Sequence, residues 1–221
     1  MKTSAMVVAT IAVLVGLVGS GCTAFKRWAY GEGESRDAWQ YPDRVIAELA
    51  IQPGQHIADL GAGGGYFTFR MADAVGSTGE VYAVDIDPDM TAYLQQRAAK
   101  DGYRNVVVIL AAPSDPRLPE NGVDLIFTCD TYHHLEHRTA YFARLRKALR
   151  PGGRVAIIDH NGNAGLFVGL FGHFTPSSVM RSELEAAGYT LENEYTFLPR
   201  QSFMVFSRTG EEAGAADHSQ S

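Results

Sequence analysis

Residues 57–68 read Ile-Ala-Asp-Leu-Gly-Ala-Gly-Gly-Gly-Tyr-Phe-Thr. A short apolar run ends in Asp59, passes through Gly61, Gly63 and Gly65, and continues with helical spacing. Glycines at alternate positions let the backbone take positive φ and let a ligand sit close to the main chain. Between a strand and a helix, such a loop is expected to aim free N–H groups and the positive end of a helix dipole into a crevice. The expected ligand is nucleotide-like.

Outward from this loop, strand-like and helix-like segments alternate, which implies a parallel sheet covered by helices. Pro42 starts a helix through Leu49, with Val45, Ile46 and Leu49 on one face. His56–Leu60 reads as the first strand, Tyr66–Ala74 as a helix and Glu80–Asp85 as the second strand. A helix from Pro88 to Lys100 precedes a third strand at Val106–Leu110. Val123–Thr128 is the fourth strand, Thr139–Leu149 a helix and Arg154–Asp159 the fifth strand. Ser177–Ala187 is a helix stopped by Gly188, followed by a hairpin of Thr190–Phe197 and Phe203–Ser207. Right-handed crossovers gather the loops after strands one, two and four on one sheet edge.

A dinucleotide fingerprint would need a third glycine where Tyr66 stands, so that match fails. The run Asp59-Leu60-Gly61-Ala62-Gly63-Gly64-Gly65 instead resembles the first motif of class I S-adenosylmethionine-dependent methyltransferases. Val81-Tyr82-Ala83-Val84-Asp85 is similar to that family's second strand, Val123-Asp124-Leu125-Ile126-Phe127 to its fourth, and Leu149 to Arg154 to the turn into its fifth. The resemblance covers residues 37–208 and implies a Rossmann-like, doubly wound α/β sheet of seven strands, mostly parallel with an antiparallel C-terminal strand. It implies S-adenosylmethionine as cofactor. Gly61, Ala62, Gly63, Gly65 and Tyr66 would surround its methionine half, Asp59 would accept from its amino group, and Asp85 with Ile86 would hold the ribose end. Asp87 reads as a helix cap. After the third strand the family's acid arrives late: either Asp115 reaches back, or adenine is held by backbone near Ala112.

Cys129-Asp130-Thr131-Tyr132-His133-His134 leaves the fourth strand at the ligand edge, and the family often carries His-His-Leu here. Asp130 could orient cofactor or acceptor, and Tyr132, His133 or His134 could take a proton. The alternative is that these side chains only pack and cap. His133-His134-Leu135-Glu136-His137 also matches a zinc-peptidase pattern, but the flanking residues read as strand and turn, so no metal is expected. Methyl transfer is an in-line displacement from an activated donor, so alignment and a dry cavity matter most. An amine or thiolate acceptor needs no base; a phenol or an acidic carbon benefits from one.

The 221 residues are 46% hydrophobic and 20% charged, suiting one domain with a real core. Net charge of −6 without an internal basic run excludes a nucleic-acid partner from expectation. Residues 1–25 have Lys2, an apolar run from Ala5 to Val18 and a small-residue exit before Cys22, as in a secretory signal. The cysteine position resembles a bacterial lipoprotein signal, with lipidation at Cys22 and residence in the cell envelope. The alternative is an uncleaved anchor in the inner membrane, with Lys26 and Arg27 holding a cytoplasmic catalytic domain. Residues 26–36 read as a linker and 209–221 as a disordered tail. Residues 160–174 join glycines to Leu166, Phe167, Leu170, Phe171 and Phe174: a lid, a hydrophobic-acceptor patch, or a connection tucked into the core. Together these features point to a small, lipophilic acceptor. The competing expectations are a non-catalytic cofactor-binding lipoprotein and, more weakly, a nicotinamide-dependent oxidoreductase.

Overall fold

A computed structural model of the chain describes residues 36–163 and 174–210. The expectations for residues 1–25, Cys22, residues 164–173 of the apolar segment and the tail from 211 lie outside these residues. Two short helices, α1 (Asp37–Gln40) and α2 (Pro42–Glu48), precede a sheet of seven strands. The strands are β1 (His56–Leu60), β2 (Glu80–Asp85), β3 (Val106–Leu110), β4 (Val123–Cys129), β5 (Leu149–His160), β6 (Tyr189–Tyr195) and β7 (Gln201–Arg208). Helices α3 (Thr68–Val75), α4 (Pro88–Asp101), α5 (Arg138–Leu145) and α6 (Ser177–Ala186) lie between them.

The strand order is β3-β2-β1-β4-β5-β7-β6. The pairs from β3 to β5 are parallel, and β7 inserts antiparallel between β5 and β6. The expected fold class therefore holds. Alternation along each strand sends one set of side chains to each face. Ile57, Phe127, Ala156 and Phe203 pack with α2 and α3, whereas Ala58, Ile126, Ile157 and Met204 pack with α5 and α6. Burying each of the Ile, Phe and Met side chains among these contributes about 1.5–3 kcal/mol. The order reverses between β1 and β4, and open sheets of this kind bind ligands at that switch, beyond the strands' carboxyl ends.

Most boundaries fall within two residues of expectation, and the differences after the glycine loop and before β5 have identifiable causes. The helix after the glycine loop begins at Thr68 rather than Tyr66, because Gly65 takes φ 83° and Thr68 is tied to Asp59. β5 begins at Leu149, not Arg154, and the preceding helix ends at Leu145. Leu149 pairs with Val123, the next registered pair is Arg154 with Leu125, and Pro151-Gly152-Gly153 bulges between them. A Pro-Gly-Gly run that reads as a turn is here an irregularity inside a strand.

Gly61 has φ 75°, and a Cβ there would lie 2.1 Å from Thr131 Oγ1. Backbone conformation and space both demand glycine. Gly61→Ala is expected to lower stability by about 2–4 kcal/mol, and Thr131→Ala in the same chain should restore part of it. Urea unfolding checks this; a cost no larger than that of a typical surface substitution would contradict the packing described.

Candidate active site

The glycine loop is a tight cap on the end of β1. The N–H groups of Gly61 and Ala62 both donate to Val84 O, at 2.8 and 3.1 Å, and Gly65 N–H donates to Ala62 O. Gly63 N–H donates to Asp85 Oδ2 at 2.8 Å. This corrects the expectation of free donors pointing into the crevice: these four are consumed within the fold. A loop without spare donors at these positions suits a close-lying neutral or cationic ligand better than a pyrophosphate. Gly65, whose added Cβ would strike Phe69 and Leu94, supplies the close packing that the dinucleotide fingerprint assigns to the next position.

Asp59 is buried at the end of β1, and Thr68 Oγ1 donates to its Oδ2 at 2.6 Å. Burial raises its carboxyl from 3.8 to about 7; the Thr68 bond opposes the rise, nearby Asp85 adds to it, and Arg36 lowers it. Asp59 is thus an acid that titrates near neutrality and would ionise fully beside a cation. Asp85 ends β2 with both oxygens positioned by backbone donors, Gly63 N–H on Oδ2 and Asp87 N–H on Oδ1 at 2.9 Å. Each oxygen keeps a second lone pair for a diol. Ile86 stands 60% exposed beside it, and Asp87 caps α4 by accepting from Asp89 N–H. Ala112 N–H and C=O are both paired with the backbone of Asp115, whose carboxylate accepts from Arg117 N–H. Asp115 therefore closes its own turn instead of reaching back, and Ala112 offers only its apolar surface.

The third carboxylate, Asp130, follows β4 with φ 54° and lies at the junction of both chain ends of the domain. Gln201 Nε2 donates to its Oδ1 at 2.6 Å, and Arg36 reaches its Oδ2 at 3.3 Å. Gln40 Nε2 joins the same knot through Cys129 Sγ at 3.0 Å and Gln201 Oε1 at 3.0 Å. Arg36, which the sequence reading assigned to a linker, is thus part of the site. The guanidinium groups of Arg36 and Arg70 bracket the ring of Tyr66, each 4.3 Å from its centroid, and the Tyr66 hydroxyl donates to Asp37. Tyr66 is held over the loop.

The three aromatic candidates after β4 separate. Tyr132 is fully buried and does not reach the acceptor edge. Its ring packs on Phe142 and its hydroxyl donates to Glu183 at 2.6 Å, while Arg138 donates twice to the same carboxylate. Burial first, and that carboxylate second, push the phenol pKa up. It is a packing residue, and the proton-transfer role considered for it is corrected accordingly. His133 Nδ1 lies 2.7 Å from Asp159 Oδ1, and the exposed His134 ring stacks on His133 at 4.0 Å. Both stand on a single 3-10 turn, Tyr132–His134, not on the long helix a zinc-peptidase motif needs. Among the described residues no group of three or more His, Cys, Asp or Glu side chains is placed to hold a metal ion.

Sequence reasoning missed Thr68, Thr131, Asp159 and the Gln40–Gln201 pair. Thr68 had a signal, since a hydroxyl nine residues after a strand-end acid falls on the first turn of the following helix.

Comparison with known proteins agrees with this geometry. The family profile described as "Methyltransferase domain" matches residues 51–198, about two thirds of the chain. The ubiquinone/menaquinone biosynthesis C-methyltransferase UbiE of Cupriavidus metallidurans is 30% identical over 115 residues, 52% of this chain and 47% of that protein. The protein-L-isoaspartate O-methyltransferase of Aeropyrum pernix is 32% identical over 130 residues, 58% of this chain and 47% of that protein. The chain spans about half the length of these curated relatives. A SAM dependent methyltransferase from Aquifex aeolicus shares the fold with a TM-score of 0.73 and 24% identity, covering 79% of this chain and 93% of that one. The expectation of a methyltransferase fold holds. The chain belongs to the methyltransferase-domain family.

Proposed function

We propose that the chain moves a methyl group from S-adenosylmethionine to a small, lipophilic acceptor by in-line displacement, while its N-terminal segment tethers it to a membrane. The observation that carries the cofactor site is the convergence of Asp59, Asp85 and Asp130 at the carboxyl ends of β1, β2 and β4, around a loop in which the N–H groups of Gly61, Ala62, Gly63 and Gly65 are already paired. That crevice is negative, and its best guest is a cation. When bound, the cofactor supplies a methyl group already activated on positively charged sulfur. Asp59 would face its amino group, Asp85 its ribose hydroxyls, and the backbone of Gly61 to Gly65 its methionine chain. Ile86 and Ala112 would give apolar contact to the base. Alignment and water exclusion are the chain's remaining tasks.

The acceptor's lipophilic character is supported by the apolar residues of the segment after β5 and by the apolar run before Cys22. One relative is named for ubiquinone/menaquinone biosynthesis, the other for protein L-isoaspartate, so relatives alone do not choose the acceptor. Lipidation of Cys22 would place the domain in the cell envelope; an intact N-terminus would anchor it in the inner membrane with its catalytic domain in the cytoplasm. The late acid after β3 is the feature that favours a non-catalytic binding lipoprotein instead.

Asp85→Ala is expected to weaken S-adenosylmethionine binding by about 1–3 kcal/mol, the cost of leaving the ribose donors unpaired. Calorimetry measures it, and unchanged affinity would remove Asp85 from the site. With methyl-labelled cofactor and a lipid extract, the intact chain should pass label into the organic phase; binding without any transfer would support the non-catalytic reading. Mass spectrometry of the mature N-terminus should find a lipidated Cys22, and an intact Met1 would move the domain to the inner membrane's cytoplasmic side.

A further inference from the structure

The carboxyl ends of β4 and β5 bring two imidazoles and two carboxylates into one cluster, of which only Asp130 also borders the cofactor crevice. The His133–Asp159 pair is almost fully enclosed, with side chains 6% and 0% exposed. Asp159 Oδ2 is buried and has no hydrogen-bond partner among the described residues. His160 lies across from His133, ring centroids 6.1 Å apart, with Nε2 3.5 Å from Asp130 Oδ1. Its Nδ1 is also buried and unpartnered among the described residues. A desolvated carboxylate with one oxygen unsatisfied is a poor way to stabilise a fold, since an apolar pair of similar size would serve the core better. Such arrangements gather where chemistry is done. Thr131 joins the cluster to the cofactor crevice, because it packs against Gly61 two residues before His133.

We propose that His133, oriented by Asp159, is the general base of the reaction and that the acceptor is a phenol- or enol-type hydroxyl. The inference rests on the methyltransferase reading above and adds to it the base and the acceptor class. With Nδ1–H donated to Asp159, the basic lone pair of the imidazole is on Nε2. The carboxylate fixes that tautomer and stabilises the imidazolium that forms. A lone pair on the acceptor oxygen would form the new O–CH3 bond as the S–CH3 bond breaks with its electrons left on sulfur, and the O–H pair would stay on oxygen as its proton leaves. The proton passes to Nε2 and then to water. Acceptor chemistry follows from the acidities. An imidazole near 6.5 lies within about four units of a phenol near 10. A thiol ionises largely unaided, and a neutral amine attacks before it loses its proton, so neither calls for a base held this firmly. The groups facing His133 are Asp159 and His160 from β5 and His134 on its own turn, with Asp130 beyond His160.

The test uses the full chain with methyl-labelled S-adenosylmethionine and three matched probes, 1-naphthol, 1-naphthylamine and 1-naphthalenethiol. Naphthol should be the methylated probe. His133→Asn, which keeps a donor for Asp159 but has no base, should lower kcat for naphthol about a hundredfold or more with little change in KM or in cofactor affinity. Asp159→Asn should lower kcat less and shift the acid limb of the pH–rate profile. Nitrogen-15 NMR of labelled histidines should find His133 protonated on Nδ1 and bare on Nε2 near neutral pH, a state lost in Asp159→Asn. A proton on Nε2, full naphthol turnover by His133→Asn, transfer preferring the amine or thiol, or no transfer to any probe would each overturn the proposal. In all of these cases retained cofactor binding leaves the methyltransferase reading standing, whereas lost binding removes both.

Discussion

A buried carboxylate at the end of the first strand sets the chemistry of this site. Asp59 leaves water where β1 meets the sheet's switch point, and the Thr68 hydroxyl that satisfies one of its oxygens is also the first residue of α3. One hydrogen bond therefore fixes where the helix starts and where the acid sits. Because burial holds that acid near neutrality, the crevice carries a latent charge that a cation can draw out. The glycine loop follows from the same constraint. Its N–H groups turn inward onto Val84 and Asp85, so what it presents to a ligand is close-packed backbone rather than an anion nest.

The rest of the site is assembled from the two ends of the domain. Arg36 and Gln40 arrive before the first strand, Gln201 begins the last, and all three meet Cys129 and Asp130 at the end of β4. A charged residue in left-handed backbone, as Asp130 is, persists only where its surroundings over-determine it. Here a guanidinium, an amide and the β5 backbone, through Ile158 O, hold it. The same convergence places Asp130 beside His160 and within reach of the His133–Asp159 pair, so cofactor and acceptor sides share one polar seam along the sheet edge.

How much of this was legible depended on distance along the chain. The strands and the acids at the ends of β1 and β2 were readable because periodicity and strand-end position are local signals. Asp87 as a cap was readable for the same reason. The Gln40–Gln201 contact spans 161 residues, and a glutamine at the start of a strand gives no pattern that announces its partner. Tyr132 shows the opposite failure. It sits beside two histidines in sequence, yet the 3-10 turn sends its ring back into the core while His133 faces β5. Asp159 was read as the last residue of an apolar strand, and only the fold reveals that it ends beneath a histidine. The Pro-Gly-Gly run misled because local turn chemistry was overridden by pairing of Leu149 with Val123.

The central claim is that the pocket at the end of β1 was built for a cationic sulfur nucleoside. Titration calorimetry of S-adenosylmethionine, run in buffers of different ionisation enthalpy, tests it most directly. With the Asp59 carboxyl raised to about 7, the ligand-free protein holds a proton there below neutrality, and a bound cation expels it. The account predicts saturable binding that releases a proton at about pH 6 and tightens as pH rises, with no release by about pH 9 or in Asp59→Asn. Absence of binding, or binding with the same proton balance in Asp59→Asn as in the native chain, would contradict it.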